Sequence, residues 1–115
     1  MNLDEIIECV ESASAEYSLK VDILARTKNA VKIRLKISQI IFVQFYHHQK
    51  SNTYNYVLVG WNRRLYGRDS VGNKWHRHPY HNPQEHDISR EGVSKVTPSE
   101  FLEEVLEILK EEKLI

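Results

Sequence analysis

Residues 31–37 read VKIRLKI, in which Val31, Ile33, Leu35 and Ile37 alternate without a break with Lys32, Arg34 and Lys36. A period of two belongs to a β-strand with one covered face and one wet face. A chain built on this strand needs an apolar layer over one side of its sheet, and the other side then presents cations.

The two ends of the chain supply that layer. Leu3, Ile6, Ile7 and Val10 recur at spacings of three and four, which predicts an amphipathic helix. Asn2 is its N-cap, and Asp4 and Glu5 sit at the positive end of its dipole. At the other end, TPSEFLEEVLEILKEEKLI opens with Thr97 as N-cap, Pro98 at the first helical position and Glu100 at the third, a capping box. Phe101, Leu102, Val105, Ile108 and Leu109 form its apolar stripe, and Glu103, Glu104, Glu107, Glu111 and Glu112 read as a solvated face.

Between the helices, VDILAR turns through TKN into VKIRLKI. IIFVQFYHH reads as a central strand, QKSN as a turn and TYNYVLVGW as the next strand. NRRLYGRD then follows a tight turn at Trp61–Asn62–Arg63. The expected fold is α+β and a single domain over residues 1–115. It consists of an N-terminal helix, an antiparallel meander of four to five strands, a His-rich loop and a C-terminal helix, with both helices on one sheet face.

The His-rich segment is KWHRHPYHNPQEH, residues 74–86, which holds four of the six histidines. Pro79 and Pro83 argue for an extended loop there. His47–His48 at a strand end reads as structural or as part of a rim. RRLYGRD reads either as an edge that grips phosphate or as a turn at Gly67 with a local Arg68–Asp69 ion pair.

Charge narrows the class of partner. The chain is neutral overall, but Lys20 to Arg77 holds twelve bases against two acids (net +10), whereas residues 1–16 carry −5 and residues 96–115 carry −4. A basic centre between acidic ends favours a polyanionic partner at the sheet. The N-terminus, MNLDEIIECVESASAEY, is acidic and periodic, unlike a signal peptide. The longest apolar run is too short to span a bilayer, and Cys9 is the only cysteine. These features predict a cytoplasmic protein with no membrane partner.

The imidazoles of His76, His78, His81 and His86 are candidate proton-transfer groups near neutral pH. Cleavage of RNA needs a base for the 2′-OH, an acid for the leaving oxygen and cations around the phosphorane. Arg63, Arg64, Arg68 and Arg77 are candidates for the cations, with Lys32, Arg34 and Lys36 along the backbone path. Trp75, Tyr80 and Tyr66 can stack on unpaired bases. The His spacing matches no standard zinc module, so no metal and no cofactor is expected. Two rival readings stay open: a non-enzymatic module for nucleic acid or protein with structural histidines, and a His-metal hydrolase.

The order YNYVLVGWNRRLYGRDS, then WHRHPYHNPQEH, then PSEFLEEVLEIL resembles the prokaryotic TumE-type toxin family over roughly residues 40–112. The pattern is carried by Asp69 followed by Trp75, His76, His78, Pro79 and His86. The resemblance implies the toxin of a toxin–antitoxin pair, neutralised by a small helix-turn-helix antitoxin. Analogy with other small toxins points to RNA as the target. The oligomeric state is open, a homodimer being one arrangement.

Overall fold

The computed structural model describes residues 1–115. The chain runs α1 (Leu3–Glu16), β1 (Val21–Arg26), β2 (Ala30–Lys36), β3 (Ile41–His48), β4 (Thr53–Gly60), β5 (Arg63–Val71), β6 (Lys74–His78) and α2 (Pro98–Glu111). The strands form one antiparallel sheet in the order β1-β2-β3-β4-β5-β6, so every neighbour in sequence is a neighbour in space.

Both helices start as their sequences require. Asn2 and Glu5 exchange hydrogen bonds at the head of α1, and Thr97 and Glu100 do the same at the head of α2. The apolar stripes of α1 and α2 lie on one sheet face. There Leu3, Ile6, Val10, Phe101, Leu102, Val105 and Leu109 join Val31, Ile33, Leu35, Val43, Phe45, Tyr56 and Leu58 in one core. Each such side chain, taken fully from water, contributes about 1.5–3 kcal/mol. Ile108 is only half-buried.

The sheet has six strands, not four to five. The added one is β6, inside the segment read as a loop. Pro79 follows its last residue, and β6 is an edge strand, so the proline breaks no ladder bond. Gly72 and Asn73, with φ of +58° and +67°, make the two-residue turn that returns β6 along β5.

His47 is structural. It is 0% exposed on the helix side of β3, and its two ring nitrogens face the carbonyl oxygens of Thr53 (2.9 Å) and Met1 (2.7 Å). Its ring stacks on Tyr54 at 4.1 Å. His47→Ala removes the ring's hydrogen bonding to these carbonyls and leaves a void, so it is expected to cost about 2–3 kcal/mol of stability, read by urea unfolding. A loss below about 0.5 kcal/mol, the range of ordinary surface changes, would contradict this role.

Candidate functional site

The face of the sheet away from the helices is where the charged side chains gather. Lys32, Arg34 and Lys36 stand on it, opposite Tyr46, Gln44 and Phe42 of β3 respectively. The Arg34 guanidinium lies 3.9 Å above the centre of the Phe42 ring and donates to Gln44 Oε1 at 3.1 Å. Lys32, Gln44, Tyr46, Asn55, Val57 and Arg64 line one shallow groove on this face.

The β5–β6 hairpin adds a cluster of ionisable side chains. Residues symmetric about the Gly72–Asn73 turn are partners, so Asp69 faces His76 and Gly67 faces His78. Alternation along a strand puts His76 and His78 on the same side as Asp69, while Trp75 and Arg77 take the other. His78 Nε2 lies 2.9 Å from Asp69 Oδ2, and its Nδ1 lies 3.0 Å from the Pro83 carbonyl oxygen. His76 Nδ1 abuts Asp69 Oδ1 without hydrogen-bond alignment, so this buried oxygen keeps unused acceptor capacity. The Asp69 carboxylate thus holds His78 and touches His76, whose Nδ1 also lies 3.3 Å from the Asp69 backbone carbonyl oxygen.

A third imidazole comes from the returning loop. Asp87 pairs with Arg77 as an isolated bridge, the Asp87 N–H donating to the Arg77 carbonyl at 2.8 Å. Arg77 also donates to Asp87 Oδ2 from Nε (2.9 Å) and Nη2 (2.6 Å). Hydrogen bonds from Ser89, and then from Arg77, pull the Asp87 carboxyl down to about 2. This tie sets His86 beside the hairpin, its ring centre 4.9 Å from His76 and 4.8 Å from His78; the latter two are 5.8 Å apart. His86 is exposed, His76 is half-buried and His78 is buried, so solvent reaches the cluster from the His76–His86 side.

Three of the four loop histidines therefore converge. The fourth, His81, is exposed and packs edge-on to Tyr80 at 5.4 Å. Arg64 reaches the cluster, with Nη1 3.4 Å from His78 Nδ1, and it also lines a second groove with Arg63, Leu65, Tyr80, His81, Pro83 and Gln84.

Tyr66, Arg68, Trp75 and Arg77, expected to hold substrate, are turned to the helix side of the sheet. Trp75 is buried and stacks on Tyr54 at 5.3 Å. Arg68, 3% exposed, donates from Nε to Glu104 Oε1 (2.9 Å) and from Nη2 to Glu104 Oε2 (2.8 Å), and Nη1 donates to the Glu91 carbonyl at 2.9 Å. The Tyr66 hydroxyl donates to Glu104 Oε1 at 2.7 Å. Burial, and then the bond to Glu104, push the phenol up to about 12. Arg77 is held by Asp87. Glu104 is accordingly not part of the solvated face of α2. Of the two forms expected of RRLYGRD, the structure overturns the local turn: Gly67 lies within β5, Arg68 pairs with Glu104, and Asp69 lies against the histidines, while Arg63 and Arg64 stay exposed at the start of β5.

Asp69 is not among the proton-transfer or substrate-binding residues expected above, yet its signal is in the sequence. Once Gly72–Asn73 is taken as a two-residue hairpin turn, pairing by symmetry sets Asp69 opposite His76. No group of three or more His, Cys, Asp or Glu side chains is arranged to hold a metal ion. No helix is long and apolar enough to cross a membrane. No protein-family model, curated protein or solved structure matches the chain.

Proposed function

We propose that the protein binds RNA across the open sheet face and cleaves it by metal-independent phosphodiester chemistry. The observation that carries this reading is a set of three imidazoles, 4.8–5.8 Å apart around one carboxylate, on the same face as Lys32, Arg34 and Arg64. His76 and His86, the two rings that solvent reaches, are the proton-transfer pair. One takes the proton of a ribose 2′-OH as its oxygen attacks the adjacent phosphorus. The other gives a proton to the 5′-oxygen as its bond to phosphorus breaks, leaving a 2′,3′-cyclic phosphate. The stacked rings leave no space for phosphate between them, so it docks against their exposed rim. Arg64 balances the growing charge on its oxygens. In the cell such an activity suits a toxin held in check by a small helix-turn-helix antitoxin, the role that the TumE-type resemblance implies.

The test is incubation of structured and unstructured RNA with the antitoxin-free protein and with a His76→Ala/His78→Ala variant, both in EDTA. Cleavage by the first alone is expected; cleavage by neither would overturn the enzyme reading, and wild-type cleavage that EDTA abolishes would move it to a metal. A second reading is supported by His78, which is buried with its ring nitrogens 2.9 Å from Asp69 Oδ2 and 3.0 Å from the Pro83 carbonyl oxygen. In it the cluster is a clasp for the loop and the basic face binds RNA without turnover. Salt-sensitive binding with intact RNA would select it.

A further inference from the structure

Two hairpin turns in this sheet hold left-handed backbone at both central positions. In the β5–β6 turn glycine occupies the first of them. In the β4–β5 turn Trp61 does, with φ of +51°, followed by Asn62 at +61°. Glycine, asparagine and aspartate dominate such sites, because the Cβ of a bulky residue meets backbone there. Burial does not account for the tryptophan. Trp61 is 48% exposed, and Ile40, whose carbonyl accepts the Trp61 N–H at 3.2 Å, is 46% exposed. The turn holds an indole in water at a local conformational cost.

Its neighbours give the indole a context. Arg63 and Arg64 come next in the chain, both are exposed, and both line the groove with Tyr80, His81, Pro83 and Gln84. Arg64 also reaches the histidine cluster. From Arg63 to Gly67, the ladder partner of His78, β5 covers about 13 Å at the usual rise of a strand. An exposed aromatic at the turn and two guanidiniums on β5 therefore lead toward the strand position that neighbours His78.

We propose that Trp61 is a stacking platform for a base of single-stranded RNA, with Arg63 and Arg64 holding the phosphates between that base and the histidines. This inference rests on the RNA reading above and adds the form of the substrate. Unpaired bases offer a free π-face, whereas paired bases keep theirs inside the duplex.

The turn itself supplies a clean variant. Trp61→Gly replaces a disfavoured residue by a favoured one, so its melting temperature is expected at or above that of the wild type. The probe is a twelve-nucleotide, fully 2′-O-methylated RNA, which has no 2′-OH to attack and stays intact. Titration should quench wild-type indole emission. The quench should vanish in Trp61→Gly, where only the buried Trp75 remains. The Kd should rise about tenfold, the scale of one lost base stack, while Trp61→Phe keeps most of the affinity.

Unchanged emission on binding, or equal affinity in Trp61→Gly, overturns the platform. So does a duplex of the same sequence that binds as tightly with the same Trp61 dependence. A polyglutamate peptide that quenches the indole where RNA does not assigns the surface to an acidic protein instead. Wild-type cleavage of RNA alongside unchanged Trp61→Gly affinity removes only the platform. Trp61-dependent binding without cleavage removes only the ribonuclease reading, and no RNA binding by the wild type removes both.

Discussion

Glu104→Ala is expected to lower the unfolding free energy by about 3–5 kcal/mol, the usual cost of breaking a buried ion pair from one side. The Arg68 side chain is 4% exposed, and both oxygens of Glu104 accept from it. With the carboxylate gone, the guanidinium keeps only carbonyl partners and stays in the core as an unpaired charge. The Tyr66 hydroxyl loses its acceptor as well. Glu103→Ala, one residue away and exposed, is the control and should stay within about 0.5 kcal/mol of the wild type. Urea unfolding of the two variants reads the difference. A Glu104→Ala loss as small as that of the control would mean that Arg68 finds water or another partner.

Asp69→Asn should reduce the rate of RNA cleavage by about 10²–10³-fold, within the range general acid–base catalysis contributes. Asp69 lies between His76 and His78 and, as an anion, can accept from both rings. An amide of the same shape offers one acceptor oxygen and puts a donor where the second was. One ring then faces an N–H in place of an oxygen, and neither has the negative charge that stabilises an imidazolium. Asp69 is a positioning residue for the proton-transfer pair, so the effect should fall on kcat, with KM within about threefold, because the phosphate-binding cations are untouched. A melting temperature within a few degrees of the wild type separates this from unfolding. A variant with unchanged kcat would remove Asp69 and the paired rings from the mechanism.

Much of the architecture was legible because it rests on local rules. Asn2 with Glu5 and Thr97 with Glu100 are capping boxes that name their own helices. VKIRLKI announces one strand, and Trp61–Asn62 marks one turn. β6 was missed although Gly72–Asn73 signalled it, because Pro79 and Pro83 spoke for a loop. A proline just beyond an edge strand is compatible with that strand, and only the sheet order shows that β6 is the edge.

The candidate site divides in the same way. His76 and His78 share a side because strands alternate, and Asp69 joins them through the symmetry of a two-residue turn, so all three follow from the sequence. His86 joins them only because Asp87 reaches back to Arg77, a contact within a loop that has no repeating pattern to read. The inward turn of Arg68 depends on a carboxylate 36 positions further on. In Tyr66–Gly67–Arg68–Asp69 both faces of the strand carry polar groups, so hydrophobic alternation cannot choose which one is covered. The sequence by itself therefore determined the helices, the meander and the cationic face, since each follows from the periodicity of neighbouring residues. Only the tertiary structure decided that Arg68 is buried and that His86 joins the other two imidazoles, because the Glu104 carboxylate that offsets the cost of burying a charge lies far along the chain and the returning loop follows no repeating pattern.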